Sequence, residues 1–340
     1  MEPMRTRVAL TSTCPGASQD RCGVTRLREL HEKSDGRYSL VNDPADADLV
    51  LAPIDRTDDW GLCLLNNEIV RAFPRKTCVI HDAGYPRFLL HGLYSSNRNS
   101  LLSRRRIRTG AYSLSVMRNP FVATHDASPA PPTERRYLFS YVGRPSHWVR
   151  AELLHAPRRR SDVLLQDPSF DLWSGSAATE KLSTQRVYYE TLMQSKFALC
   201  PRGIGHGSMR LFEAMCLGVA PVVLSDGWIP PTGPDWREFC IFVQERQARE
   251  VERIVEPFES EYERMGRAAR EAYETYFSDG SYFNYVVENC LEIVNTQPIP
   301  ESLYWALRKP IIWSEHLRDA LRIRSRLRSA KQALGLIPRS

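Results

Sequence analysis

The sequence predicts an α/β protein made of two Rossmann-like domains facing across a cleft. Three observations carry this. Short apolar runs alternate with amphipathic segments in both halves of the chain. The runs are continuously apolar rather than alternating, the pattern of strands buried on both faces of a parallel sheet. A proline-rich stretch, "DASPAPPTERR" (126–136), separates the halves, as a linker does. At 340 residues the chain exceeds one ordinary core and suits two domains of roughly 100–200 residues each.

In the first half the expected order is a strand at 7–12, a helix at 24–33, a strand at 47–54, a helix at 60–73 and a strand at 77–84. That βαβαβ order is the signature of a parallel sheet. Residues 85–116 are basic and irregular. The second half repeats the alternation: strand 137–143, helix 147–156, strand 161–167, helix 183–195 with Ser183 as N-cap, then strand, loop, helix and strand through "SKFALCPRGIGHGSMRLFEAMCLGVAPVVLSD" (195–226), and a strand at 240–244. Gly218 stands where a C′ glycine ends a helix, and long helical patterns cover 246–277 and 281–294. The expected boundaries are a first domain at 1–130, a second at 137–296, and C-terminal helices with a basic tail at 297–340.

Composition narrows the function classes. The net charge of +6, from 46 Lys+Arg against 40 Asp+Glu, favours anionic partners without naming one. The eight cysteines include no CxxC pair and no spacing that suits zinc, so reduced thiols are expected. No apolar run reaches the ~20 residues of a membrane span, and "MEPMRTRVALTSTCPG" lacks the apolar core of a signal peptide. A cytoplasmic protein is the expectation. Residues 318–339 carry seven Lys/Arg and one acid over an imperfect apolar stripe. They suit either a basic amphipathic helix on an anionic membrane, at the inner face, or a solvated helix packed on its own protein. The basic runs lack interleaved aromatics and any nucleic-acid-binding motif, so no nucleic acid partner is expected.

The chemistry concentrates in "CPRGIGHGS" (200–208), which leaves an apolar strand and opens a helix. Glycines 203, 205 and 207 let a backbone approach a ligand closely. A helix beginning near Ser208 offers free N–H groups and a positive dipole end to phosphate. Arg202 and Arg210 supply fork-shaped donors for phosphate oxygens, His206 is placed to touch phosphate, and Glu213, one turn after Arg210, can accept from ribose or sugar hydroxyls. The loop is neither a Walker A sequence nor the G-x-G-x-x-G fingerprint. The plainer alternative is a tight turn with a surface salt bridge between Arg210 and Glu213.

Taken together, "SKFALCPRG", "S-x-R-L-F-E-A", "GVAPVVLSD" and "DWREFCIFV" resemble the donor-side motif of exostosin-type glycosyltransferases, and "YLFSYVGRPSHWVRAELL" (137–154) is similar to the strand–loop–helix that opens their donor domain. The resemblance covers about 110 residues well and the first 130 poorly. It implies a GT-B architecture, with an acceptor-side first domain and a nucleotide-sugar-binding second one, and inverting sugar transfer, usually from a UDP-sugar. Arg202, Gly203, Ser208, Arg210 and Glu213 then line the donor site, Gly143 and Arg144 lie near the diphosphate, and Asp226 closes the pocket. "GWIPPTGPDW" (227–236) departs from the family's pattern after "SD", which leaves the sugar open. A related "KFALCPEN" pattern belongs to α-1,3-fucosyltransferases, which use a GDP-sugar, and Arg202-Gly203 favours the exostosin resemblance. A glycan-assembly subunit that binds nucleotide sugar without turnover remains an alternative.

Inverting transfer needs a base and a positive environment for the departing diphosphate. Arginines and a helix N-terminus meet the second need, so no cofactor is expected and a metal is expected to be dispensable. Asp46-Ala47-Asp48, the one D-x-D, precedes a strand and is read as a turn. Base candidates are Asp82 and His81, at the carboxyl end of the 77–84 strand, with His125 and Asp126 second. His147 is read as opening its helix. The expected setting is cell-surface polysaccharide synthesis, with a glycan or lipid-linked acceptor.

Overall fold

The computed structural model describes residues 5–12, 23–54, 64, 67–82, 84, 88–98, 105–113, 118–127, 134–168 and 178–310. The first part comprises β1 (Arg7–Leu10), α1 (Gly23–Lys33), β2 (Ser39–Val41), β3 (Leu49–Ile54), α2 (Glu68–Ala72), β4 (Thr77–His81), β5 (Gly92–Tyr94), β6 (Ile107–Arg108) and α3 (Pro120–Ala127). The second comprises β7 (Tyr137–Val142), α4 (Trp148–Leu154), β8 (Val163–Gln166), α5 (Ala178–Met193), β9 (Ser195–Pro201), α6 (Met209–Cys216), β10 (Ala220–Leu224), α7 (Trp236–Phe239) and β11 (Ile241–Phe242). Then follow α8 (Val251–Val255), α9 (Tyr262–Tyr276), α10 (Tyr282–Thr296) and α11 (Glu301–Ala306).

Two parallel sheets form, with strand orders β2-β1-β3-β4-β5-β6 and β11-β10-β9-β7-β8. All their pairings are parallel. β3, β4 and β10 are buried at every residue, which is why they read as unbroken apolar runs. The fold is thus two Rossmann-like units. In the second sheet the strand order reverses between β7 and β9. Open α/β sheets bind ligands at such a switch point, beyond the carboxyl ends of the strands. Gly143 follows β7 there, and Arg202 follows β9.

Several elements differ from the sequence expectation. β2, β5 and β6 are two or three residues long, too short to show periodicity, and β5 and β6 lie inside the stretch read as irregular. Ser183 is not an N-cap: α5 begins at Ala178, and the Ser183 hydroxyl donates back to the Glu180 carbonyl. The long pattern at 246–277 divides into 3₁₀ turns (245–250 and 256–261), α8 and α9, with Pro257 in the second turn unable to continue an α-helix. Residues 128–133 of the linker, 60–63 and 65–66 of the expected helix, and the tail 318–340 lie outside the described residues.

α6 shows how sequence becomes structure here. Leu211, Phe212, Ala214, Met215 and Cys216 are buried, and the helix packs on α9, β9, β10 and α3. Gly218, at φ +62°, ends it: Gly218 N–H donates to Met215 O (3.0 Å) and Val219 N–H to Ala214 O (2.9 Å), a Schellman closure that satisfies two terminal carbonyls.

The C-terminal helices return to the first unit. α10 packs on β5, β3 and α1, burying Phe283, Val286, Val287 and Ile293 among others, each worth about 1.5–3 kcal/mol relative to exposure. The chain up to residue 296, read as second-domain sequence, therefore ends on the first sheet. α11 follows it: Glu301 accepts from Arg106 Nε (3.0 Å) and Nη2 (2.6 Å) and from His91 N–H (3.1 Å), with both charged side chains almost wholly buried. Removing one partner of such a pair strands a buried charge.

Candidate active site

The site is built where β7 and β9 end beside the first turn of α6. Arg210 occupies that turn. Its Nη2 donates to Val142 O at the end of β7 (2.9 Å), and its guanidinium lies 4.8 Å from the Tyr141 ring centroid and 5.5 Å from that of Tyr188. Its Nε is buried with no hydrogen-bond partner. The Gly143 position has to be side-chain-free for this seat, because a Cβ there would stand 2.7 Å from Arg210 Nη2 and 2.9 Å from the Tyr141 hydroxyl.

Glu213 does not pair with Arg210; its Oε2 accepts from the Tyr188 hydroxyl (2.7 Å). The surface salt bridge of the plainer reading is therefore not formed. Burial pushes the Glu213 carboxyl above its ordinary range, which is the behaviour of a carboxylate short of compensation. A cavity of about 40 Å³ lies against it, lined also by Tyr112, Arg118, Phe212 and Tyr273, room for a water molecule or two.

Arg150, in the first turn of α4, is the residue that sequence reasoning missed. It donates from Nε to Arg202 O (3.0 Å), from Nη2 to Pro201 O (3.3 Å) and from Nη1 to Ser146 Oγ (3.0 Å). Burial, and then the like charge of Arg210, push its pKa down to about 10. A signal was present: a cation in the first turn of a helix opposes the dipole, so an Arg three residues after the N-cap His147 asks for another reason. His147 caps α4, its Nδ1 accepting from Val149 N–H (3.4 Å).

Arg202 is shared. Its Nη1 donates to His206 Nδ1 (3.1 Å), its Nη2 to Ile204 O (3.3 Å), and Nη1 stands 3.6 Å from Glu245. Burial, then the neighbouring Arg202 and Arg98, bring His206 down to about 4, so it is neutral at pH 7. Ser208 is the N-cap of α6 in an extended conformation, its side chain making no capping bond. Arg144 is exposed, and its carbonyl accepts from the Tyr141 hydroxyl (3.2 Å). Asp226, expected at the mouth of the site, pairs reciprocally with Glu245: its carboxylate accepts from Glu245 N–H (3.1 Å) and its own N–H donates to the Glu245 carboxylate (2.9 Å), which ties β10 to the 245–250 turn.

The glycines of the loop all meet close protein neighbours. A Cβ at Gly203 would stand 2.9 Å from Arg150 Nη2, one at Gly205 would collide with Ser96 Oγ and the Gly84 carbonyl, and one at Gly207 would collide with the Ser95 carbonyl and stand 2.9 Å from the Tyr112 ring. Gly205 and Gly207 permit close approach of the first unit. The segment 227–236 also joins the units: Ile229 N–H donates to Asn97 O (3.3 Å), and Thr109 Oγ1 donates to Ile229 O (2.6 Å).

Of the base candidates, His81 is 1% exposed, its ring stacked 5.5 Å from Tyr94 and brought down to about 4 by burial. It is a buried core residue. Asp82, 7% exposed, comes next at the end of β4 and its charge reaches Tyr112 and Tyr282 at the seam between the units. His125 lies against Tyr189 (3.3 Å), and Asp126 accepts from Tyr273 (3.1 Å) behind α6, away from the loop. Asp46 and Asp48 form the turn into β3, where the Asp48 carboxylate accepts from Arg7 N–H (2.8 Å). Among the described residues no group of three His, Cys, Asp or Glu side chains could hold a metal ion, and Cys78, Cys200, Cys216, Cys240 and Cys290 are free and buried.

Comparison with known proteins identifies the domain. Residues 92–258 match the Exostosin GT47 domain. Exostosin-1 of Drosophila melanogaster is 29% identical over 192 residues, 51% of this chain and 25% of the relative. The Exostosin-1 homolog of Caenorhabditis elegans is 37% identical over 92 residues, 26% of this chain and 24% of the relative. Probable beta-1,4-xylosyltransferase IRX10 of Arabidopsis thaliana is 32% identical over 91 residues, 26% and 20%. The chain thus spans about a quarter of the length of these relatives. A crystal structure of alpha1,3-fucosyltransferase aligns at a TM-score of 0.41 and 14% identity, over 87% of this chain and 92% of that one. Residues 92–258, which hold β9, the glycine loop and α6, thus form an exostosin-type (GT47) glycosyltransferase domain.

Proposed function

We propose that the protein is a glycosyltransferase that draws on a nucleotide sugar, a UDP-sugar first of all, and transfers the sugar with inversion to a glycan or lipid-linked acceptor in polysaccharide synthesis. The observation that carries this is the seat of Arg210. A half-buried guanidinium stands at the switch point of the second sheet with its Nε buried and unpaired, beside a second half-buried guanidinium, Arg150; neither makes a salt bridge among the described residues, and the one carboxylate charge that acts on Arg210 is that of Glu213. Two like charges held together in a partly buried place, with one carboxylate between them, favour a further anion. The N-terminus of α6 adds donors of its own. A diphosphate supplies the missing charge.

In this reading Arg210, Arg150, Arg202 and the α6 N-terminus stabilise the departing nucleoside diphosphate, and that is the charge a divalent cation would otherwise bring. Glu213 receives ribose hydroxyls. Asp82 takes the proton of the acceptor hydroxyl from the facing unit. The names of relatives, a probable xylosyltransferase and probable glucuronosyltransferases, support xylosyl and glucuronosyl donors as the first to try, here as their UDP-sugars.

The test is a thermal-shift series with UDP, GDP and UDP-sugars on the wild-type chain, since a ligand of the native state raises the melting temperature by mass action. A shift with UDP and one UDP-sugar, followed by transfer or slow hydrolysis of that donor, is expected. A shift with GDP alone overturns the UDP assignment, donor binding without any turnover overturns the enzymatic one, and no shift with any nucleotide overturns the reading of the site.

A further inference from the structure

The glycine loop is held by the opposite unit. Ser96, 2% exposed, lies in the turn after β5, and its Oγ accepts from the backbone N–H groups of His206 (2.7 Å) and Gly207 (3.4 Å). The preceding residue anchors the same turn to β4: Ser95 N–H and Oγ both donate to the His81 carbonyl (3.0 and 3.1 Å). Asp82 follows directly in the chain. On the loop side, Ser225 Oγ donates to the His206 carbonyl (2.8 Å), so His206 is fixed at its N–H by the first unit and at its C=O by the second.

From this geometry we propose that Ser96 is a positioning residue that sets the register between the phosphate-facing loop of the second unit and the β4 end of the first, where Asp82 stands. Its identity as an aid to catalysis rests on the proposed function. The contact itself does not.

The physical argument is one of rigidity. Arg202 and His206 ride on this loop and bond to each other, so whatever fixes the loop backbone fixes the anion-gripping side chains. The seam around Ser96 is too tight to refill with another acceptor, since Gly205 already lies against both Ser96 Oγ and Gly84. Without the Ser96 hydroxyl, two amides in a buried place lose their acceptor. A buried donor left unsatisfied is the costly outcome, rather than the mere loss of a bond. The loop then relaxes towards water, and the donor site moves relative to Asp82. Gly205 and Ser96 work as a pair: the absent side chain at one gives the hydroxyl at the other its place.

Two measurements on the full-length chain test this, with Ser96→Ala and Gly205→Ala beside wild type. Site-resolved amide exchange should show His206 and Gly207 exchanging about tenfold faster in each variant, the factor that corresponds to one hydrogen bond of ordinary net strength. UDP affinity, measured well below the melting temperature so that all chains are folded, should fall about 5- to 20-fold, an effect of the same origin. A purely structural serine would lower the melting temperature and leave the affinity of the folded protein alone. Exchange within about twofold of wild type in both variants, or unchanged UDP affinity where wild type binds UDP, overturns the proposal. Failure of wild type to bind any nucleotide instead overturns the proposed function, and the positioning role with it.

Discussion

Replacing Arg210 by Met separates a ligand-binding arginine from a structural one. Met keeps an apolar stem between Tyr141 and Tyr188 and removes the charge. For folding, the losses are the bond to Val142 O, worth about 1 kcal/mol, and two cation–π contacts at about 0.5–1 kcal/mol each. The gains are relief of the desolvation of a charge that makes no salt bridge and of the repulsion felt by Arg150, which offset part of that loss, while the Glu213 carboxylate loses the favourable charge of Arg210. The melting temperature should therefore move by no more than a few degrees, in either direction. For binding there is no such offset. A guanidinium that grips a diphosphate makes about two charge-assisted bonds, worth roughly 1.5–3 kcal/mol each, so UDP affinity should fall more than a hundredfold. Arg210→Lys, which keeps the charge and loses the fork, should fall between. The assay is calorimetric titration with UDP alongside a melting curve for each variant. The reasoning is refuted if Arg210→Met melts far below wild type while the remaining folded protein binds UDP as before.

The other expectations are briefer. Asp82→Asn should abolish transfer while leaving UDP affinity within about twofold; His81→Gln should act through stability, because the ring packs on Tyr94. Transfer should persist in excess EDTA, since arginines supply the positive charge in the proposed site. Asp279 accepts from Arg26 and Lys33 and pairs with Arg118. Burial pushes its carboxyl up, but Arg118 and the bonds from Arg26 and Lys33 outweigh it and hold the pKa at about 2. The folded pKa lies below the ordinary 3.8, so the group stabilises the fold above pH 4 and loses that contribution as the pH falls towards 2. Asp279→Asn should cost about 2 kcal/mol at pH 7 and nothing near pH 2. Deleting 318–340 should release the protein from vesicles of anionic lipid and leave UDP binding intact, if that basic stretch is a membrane helix.

What the sequence disclosed was local. β3, β4, β9 and β10 announce themselves because burial on both faces forces unbroken apolar runs. α6 does so through its buried stripe and Gly218. Arg202, Arg210 and Glu213 were legible because they lie within one strand–loop–helix unit, where spacing in the chain fixes spacing in the fold. β2, β5 and β6 were not, being two or three residues long and held by pairing with neighbours distant in sequence. Ser96 lies 110 residues from the loop it holds, and no periodicity records such a pairing. Arg150 left only the trace of a cation where the helix dipole disfavours one. The return of α10 and α11 to the first unit was also invisible, since an amphipathic helix shows that it has an apolar face and not which sheet receives it.

The glycines and the divergent segment make one further point together. Gly205 and Gly207 suggested a backbone that approaches a ligand, and the departure from the family's pattern at 227–236 left the sugar open. In the structure both meet the first unit: the glycines at Ser95, Ser96 and Gly84, and the segment at Asn97 and Thr109. Trp228, which forms an isolated bridge with Arg98, packs edge-on against Trp236 (5.7 Å), and Trp236 in turn lies against Phe239 and Phe277. The contact between the units is therefore rooted in the core of the second one. A hinge that opened this seam would have to break the bonds of Ser96, Asn97 and Thr109 at once. Units so joined move little relative to each other, and in the proposed function the specificity of the site then falls to side chains already in place at the β7 and β9 ends. Substitutions within 227–236 should accordingly disturb stability and loop exchange before they disturb the choice of sugar, and a variant there that switches donor preference without lowering the melting temperature would contradict this view of the seam.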